Sequence, residues 1–297
     1  MSRKNKIRDS VADRVFQVVV VVIVTIITLT CILPIINILA SSLSSANANN
    51  ANIVTFWPIE ITLDAYKSVV TNGALIRSMF FSIYITILTV AITLVMTILC
   101  AYPLSHRDLV GKSILWPFIM FTMYFGGGMI PSYLLLNSLK LLNTEWCLVL
   151  PGAISTYNMI LMRTYFSSIP DALRESATID GANDFVTLTR IMLPLSKSML
   201  ATIALFYAVG RWNAVTDGMI YINEPEKYIL QVRLKNIILN AQGLDELMAE
   251  GASMEFSLNT TQMRCATLMF SLIPVLIVYP FLQKYFVKGV MIGSVKG

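Results

Sequence analysis

The sequence predicts an all-α integral membrane protein with six transmembrane helices and both termini in the cytoplasm. Three observations predict it. Only 13% of the 297 residues are charged and 56% are hydrophobic, whereas a water-soluble domain carries about 25% charged residues. Six apolar stretches reach the roughly 20 residues that a helix needs to cross a bilayer. The charges collect between those stretches, with basic and acidic excesses on opposite sides.

The stretches are predicted at 15–40, 78–104, 113–136, 146–166, 198–222 and 265–286. The first follows basic residues and precedes the small Ala40, Ser41 and Ser42, as a secretory signal does. Its apolar run exceeds the about 7–15 residues of a signal core, so a retained helix is predicted. Lysine and arginine mark the cytoplasmic side. Arg3, Lys4, Lys6, Arg8 and Arg14 precede the first stretch, and His106, Arg107 and Lys112 follow the second. Lys284, Lys288 and Lys296 lie at the far end. The loop between the fifth and sixth stretches carries Glu224, Glu226, Asp245, Glu246, Glu250 and Glu255 against Lys227, Arg233 and Lys235, which suits the outside. The organisation read from this is a cytoplasmic tail (1–14), a first helix with an extracytoplasmic linker (15–75), a transmembrane core (76–286) and a second cytoplasmic tail (287–297).

Several function classes lack their residues. Cys31, Cys100, Cys147 and Cys265 lie in or beside apolar runs without near neighbours, so neither a disulfide framework nor a metal motif is readable. His106 is the one histidine, too few for an ordinary zinc or haem site. No H-E-x-x-H and no clear G-x-S-x-G is present, and no catalytic residue can be named. The phosphate-cradling G-x-x-x-x-G-K-[ST] is absent, so ATP and Mg, if they drive the protein, are bound by another chain. The net charge of +5 reads as topology-setting loop charge, with no nucleic-acid partner.

Gly126, Gly127 and Gly128 lie inside the third stretch. They fit close helix packing or a broken helix beside a polar path. Arg211 and Asp217 are six residues apart. A straight helix points them to different faces, so they need not pair. Tyr124, Tyr157, Asn158, Trp212 and Asn213 are the residue types of a sugar-binding path, an aromatic face beside hydrogen-bonding amides. An interfacial aromatic belt and helix–helix hydrogen bonds account for them more simply.

The stretch ESATIDGANDFVTLTRIMLP, 175–194, falls in the predicted cytoplasmic loop between the fourth and fifth stretches. Ser168 and Pro170 read as a helix start, and Asp171 and Glu175 suit its first turn. Leu173, Ala177 and Ile179 supply apolar surface, and Gly181 stops the helix in a left-handed conformation. A second helix follows through Phe185, Leu188, Ile191 and Met192, and Pro194 ends it and turns the chain into the next stretch. The result is a helix–turn–helix knuckle whose small residues admit another backbone. An amphipathic linker on the membrane surface is the competing reading.

Glu175, Ser176, Ala177, Asp180, Gly181 and Ala182, followed by Ile191, Leu193 and Pro194, resemble the EAA motif of ABC importer permeases. Ser176 stands for an alanine and Leu188 where phenylalanine is frequent. The tail YPFLQKYFVKGVMIGSVKG (279–297) is similar to that of carbohydrate-uptake permeases of the MalG type. FGGGMIPSYLLLNSLKLLNT (125–144) and Trp212-Asn213 are similar to the LplC/YtcP-like branch. The resemblance implies a type I ABC importer permease fold, with an EAA-like coupling loop at 168–195 that docks into an ABC ATPase dimer. It implies a second homologous permease subunit, an extracytoplasmic solute-binding protein touching the loop at about 222–262, and a carbohydrate substrate. It further implies residence in a bacterial inner or plasma membrane, in contact with lipid. The stand-alone alternative, a secondary transporter, would place ionisable groups near the bilayer centre, and stretches one, three, four and six carry almost none.

Overall fold

The computed structural model describes residues 10–239 and 260–294. Helices of eight residues or more are α1 (Val11–Leu43), α2 (Asp64–Thr71), α3 (Gly73–Ser105), α4 (Lys112–Tyr124), α5 (Met129–Ser138) and α6 (Thr156–Ser168). They continue as α7 (Ala172–Ile179), α8 (Asp184–Leu195), α9 (Lys197–Asn213), α10 (Leu230–Leu239) and α11 (Thr260–Ser294). No strand occurs among the described residues. The chain divides into two compact units, 1–71 with 251–270, and 72–250 with 271–297.

In the first unit, α1 has a mean hydropathy of 3.0 over its most apolar stretch, none of which is buried. Two of its threonines keep their bonds inside the helix. The Thr28 hydroxyl donates to the Val24 carbonyl at 2.7 Å and Thr30 to that of Ile26 at 2.9 Å. That is what a lipid-facing helix requires, because the bilayer core offers no water. Ala40, Ser41 and Ser42 are buried where the linker folds back. There the Ser42 and Tyr66 hydroxyls bond at 2.7 Å, and Asn49 Nδ2 donates to the Ser41 carbonyl at 2.9 Å.

The second unit is built on α3. Asn72 caps its start, Oδ1 accepting from the Leu75 N–H at 2.8 Å. Ser78, Ser82, Thr89, Thr93, Thr97 and Ala101 recur every four or seven residues and are all buried. This stripe of small residues lets neighbouring helices approach closely. Its hydroxyls also hold them. Ser78 accepts from Arg233 Nε at 2.8 Å, Ser82 from the Leu230 N–H at 2.7 Å, and Thr97 bonds the Tyr207 hydroxyl at 2.7 Å. At one end α3, α6, α8 and α9 share a core of Ala101, Leu104, Met159, Met162, Phe166, Met192 and Ile203. Toward the other, Ile85, Leu136, Cys147, Leu148, Tyr221, Ile229 and Val232 form a second cluster.

Three helices among the described residues are long and apolar enough to cross a membrane, and five if each bent pair counts as one span. Three of the six predicted stretches are interrupted. Stretch 146–166 is not one helix. A short helix, Trp146–Val149, passes into a 3-10 turn at Leu150–Gly152 before α6 begins. Pro151 removes a donor N–H there and its ring clashes with the preceding turn. Stretch 113–136 is α4 and α5, bent by 108° about Gly126–Gly128. Stretch 198–222 breaks at Ala214, and a six-residue helix, Thr216–Tyr221, follows.

That last break overturns the expectation for Arg211 and Asp217. The chain turns at Ala214, and Arg211 Nη1 lies 3.2 Å from Asp217 Oδ2. The same nitrogen donates to the Leu148 carbonyl at 2.8 Å, tying α9 to the end of Trp146–Val149. The arginine is buried, so its charge needs those partners.

Gly218 sits where a Cβ would lie 2.8 Å from Ile229 Cδ1 and Val232 Cγ2. Gly218→Ala is expected to destabilise by roughly 1–3 kcal/mol through overpacking. Gly210→Ala, whose Cβ meets open space within α9, is expected to be neutral or slightly stabilising. Thermal unfolding of the two variants in detergent checks the contrast.

Candidate coupling site

The knuckle is anchored on the last turn of α3. The last carbonyls of a helix have no partner inside it and carry partial negative charge. Here cations and a hydroxyl meet them. Arg163 Nε donates to the Leu104 carbonyl at 3.2 Å and Ser167 Oγ to that of Ser105 at 3.4 Å. Lys112 Nζ donates to the His106 carbonyl at 2.5 Å. Arg174 Nη2 reaches the Ser105 hydroxyl and the Phe166 carbonyl, both at 3.0 Å. Its guanidinium lies 5.8 Å from the Tyr102 ring centre, within the range of a cation–π contact. Arg174 is 8% exposed. It is the buried rivet of α7, and the motif reading did not single it out. A basic residue in the first turn of a predicted helix, where the macrodipole favours acids, was the signal available.

The spacing of the motif follows from how α7 ends. The Gly181 N–H donates to the Thr178 carbonyl at 3.0 Å, and the Ala182 N–H to the Ala177 carbonyl at 2.9 Å. Gly181 has φ +81°. This is a Schellman cap, in which a left-handed residue closes the helix and the residue beyond it faces the one five positions earlier. Ala177 and Ala182 are that facing pair, which keeps them small. Asn183 then opens α8, Oδ1 accepting from the Val186 N–H at 2.9 Å. One residue thus separates the end of one cap from the start of the next.

The two faces of α7 differ. Arg174 and Ala177 are buried, while Glu175, Ser176 and Asp180 are exposed. Ile179 is 86% exposed and Phe185 69%. Of the apolar surface supplied by Leu173, Ala177 and Ile179, only Ala177 is buried. The expected Ser168 cap also differs. Ser168 donates back to the Tyr165 carbonyl at 2.7 Å, and α7 starts after Asp171 without a side-chain cap. The Asp171 carboxylate instead lies 3.3 Å from Arg107 Nε, an exposed pair that contributes little.

Pro194 does not end α8. A π-turn at Leu188–Met192 absorbs it, the Leu193 N–H reaching back to the Leu188 carbonyl. Such a bulge accommodates the missing proline donor. The 83° bend into α9 comes two residues later, at Ser196. Between the end of α3, α7 and the start of α8 lies a cavity of about 550 Å3, lined by Tyr102, His106, Arg174, Glu175, Thr178, Ile179, Asp184 and Thr187.

The five path candidates sit on three helices: Tyr124 ends α4, Tyr157 and Asn158 start α6, and Trp212 and Asn213 end α9. Asn158 is buried, Trp212 is half-buried, and Tyr124, Tyr157 and Asn213 are exposed. Asn213 Nδ2 donates to the Val209 carbonyl at 3.0 Å within its own helix. No side-chain hydrogen bond among the described residues joins any two of the five. Nor do the described residues hold a cluster of three or more His, Cys, Asp or Glu groups fit for a metal.

Partial burial, and then the nearby Arg174 and Lys112, hold the His106 imidazole below its ordinary value, while Asp184 and Asp171 pull the other way. The folded loop therefore favours the neutral ring. This contribution is complete above the ordinary histidine value of about 6.5 and fades as pH falls through the lower folded value. The melting temperature is expected to drop between about pH 7.5 and 5.5, and His106→Gln is expected to shrink that drop. Thermal unfolding at the two pH values measures it.

Residues 77–292 match the family described as binding-protein-dependent transport system inner membrane component. The chain is 41% identical over 240 residues to the polygalacturonan/rhamnogalacturonan transport system permease protein YtcP of Bacillus subtilis, covering 81% of this chain and 84% of that one. It is 44% identical over 243 residues to protein LplC of the same organism, covering 81% of each. A crystal structure of a bacterial ABC transporter involved in the import of the acidic polysaccharide alginate contains a chain that superposes with a TM-score of 0.85. The two are 35% identical, over 94% of this chain and 99% of that one. With a spine, a capped knuckle and several apolar helices already on hand, the match over most of its length makes this chain a member of the binding-protein-dependent inner-membrane permeases of bacterial ABC transporters.

Proposed function

We propose that the chain is one permease subunit of an ATP-driven importer that carries an oligosaccharide, pairs with a second homologous permease and is coupled through α7 and α8 to a separate ATPase dimer. The observation that carries this reading is the face of the knuckle. Ile179 and Phe185, two large apolar side chains, stand exposed beside Glu175, Ser176 and Asp180 on a segment whose other face is riveted to α3. An apolar knob rimmed by carboxylates on rigid backing suits a protein groove with basic edges. Glu175, Ser176, Asp180 and Gly181 meet that groove, Ala177 and Ala182 close the cap behind them, and Pro194 sits in the π-turn leading to α9.

In this reading the chain crosses the membrane six times, with the interrupted stretch 146–166 counted as one crossing and both termini in the cytoplasm. ATP and Mg stay with the ATPase, and this chain performs no chemistry. Closure of the ATPase dimer moves the knuckle, Arg174 passes that motion to the end of α3, and the helices around α3 rock between inward- and outward-facing arrangements. A solute-binding protein delivers the sugar to the loop between α9 and α11, of which residues 240–259 lie outside the described residues. Carbohydrate is the proposed substrate class because YtcP is named for polygalacturonan/rhamnogalacturonan transport and the structural neighbour for import of the acidic polysaccharide alginate. Tyr124, Tyr157, Asn158, Trp212 and Asn213 remain the proposed sugar contacts.

Tagged protein purified gently from its host is expected to bring a second permease and an ATPase with a phosphate-binding loop, identified by mass spectrometry. Gly181→Val, which forces a β-branched residue into φ +81°, is expected to reach the membrane at normal levels but recover several-fold less ATPase. A homo-oligomer without ATPase, persisting after crosslinking in membranes, contradicts the proposal.

A further inference from the structure

The break between α4 and α5 has no role in the coupling just described. α4 has 13 residues, about 20 Å of helix, short of the roughly 30 Å bilayer core. The chain then unwinds at Phe125–Gly128 and turns by 108° into α5. Gly128 has φ +85°. The Phe125 N–H closes the last turn of α4 on Phe121, and Ser132 opens the first turn of α5 on the Gly128 carbonyl. Between these, no hydrogen bond among the described residues engages the N–H of Gly126, Gly127 or Gly128. Every residue from Phe121 to Pro131 is exposed.

Such a backbone cannot face lipid, where each unmet polar group costs several kcal/mol. Irregular backbone at membrane depth survives only inside protein or against water. The local detail favours water. A Cβ at Gly126 or Gly128 would meet nothing within 4 Å, so these glycines relieve no crowding within the chain. They leave the main chain bare. Beside them the Phe121 and Phe125 rings stack at 4.4 Å, an apolar face next to free donors and acceptors. A sugar offers the complement, an apolar ring face edged with hydroxyls.

We propose that the Phe125–Gly128 break lines the water-filled path through the membrane and presents its bare backbone to hydroxyl-rich cargo. The inference rests on the importer reading for the identity of that cargo. The test needs no cargo. In a background where Cys31, Cys100, Cys147 and Cys265 are replaced by alanine, Gly126→Cys is compared with Val21→Cys, a position 63% exposed on the apolar α1. Each is treated in membranes with a charged methanethiosulfonate and with a lipid-soluble maleimide. Thiolate is the reacting form, and a thiol in an apolar medium keeps its proton, so the charged reagent is expected to modify Gly126→Cys at least about tenfold faster than Val21→Cys. Equal slow rates at both positions place the break in lipid and overturn the proposal. Failure of both reagents at Gly126→Cys, with Val21→Cys open to the maleimide, places it in a sealed protein interface and also overturns it. Fast reaction in membranes from which no ATPase co-purifies upholds the aqueous path and removes only the importer reading.

Discussion

The structure of the second unit depends on one constraint: α3 crosses an apolar medium, yet much of its buried face is hydroxyl. A serine or threonine inside a helix can satisfy itself by bonding one turn back, as Thr93 does to Thr89. Several on α3 also reach outward. Ser78, Ser82, Thr97 and Ser105 bond Arg233, the Leu230 N–H, Tyr207 and Arg174. These partners belong to α10, α9 and α7, so one stripe sets where three later elements lie. Apolar packing alone would allow sliding, because lipid is as apolar as leucine. The hydroxyls fix the register.

The Ala101–Ser105 end of the stripe turns this scaffold toward function. Arg174 bridges α3, α6 and α7, and Arg163, Ser167 and Lys112 donate to the Leu104, Ser105 and His106 carbonyls at the end of α3. A partner pressing on the exposed face of α7 therefore presses on the spine, through a buried guanidinium and not through a loose loop. The Schellman cap at Gly181 serves the same end. It turns the chain from α7 into α8 through a hydrogen-bonded cap.

Much of this was legible in the sequence, for physical reasons that differ by element. The long apolar helices α1 and α3 announce themselves, since nothing else folds more than 25 apolar residues. The Gly181 cap was legible because left-handed backbone selects glycine. The interruptions were harder. Pro151 and Pro194 look alike as letters, yet one breaks a crossing at a 3-10 turn and the other is absorbed in a π-turn, and the surrounding packing decides which. The Arg211–Asp217 pair was hidden because helical periodicity assumes a straight helix, and Ala214 ends it. Arg174 was hidden because its partner, the end of α3, lies 69 residues away. The glycine run showed that something unusual happens at 126–128, but packing and breakage ask for the same residue.

The account's central claim is that the exposed face of α7 is gripped by an ATPase. A cysteine at position 179 puts a thiol at the most exposed apolar point of that face. In a background lacking the four native cysteines, Ile179→Cys membranes are treated with a short thiol-to-amine crosslinker and the adduct is identified by mass spectrometry. The account predicts one dominant adduct, to a peptide of an ATP-binding subunit, whose yield changes when ATP is added. Reaction with lipid amines alone, or with a second copy of this chain, would contradict it.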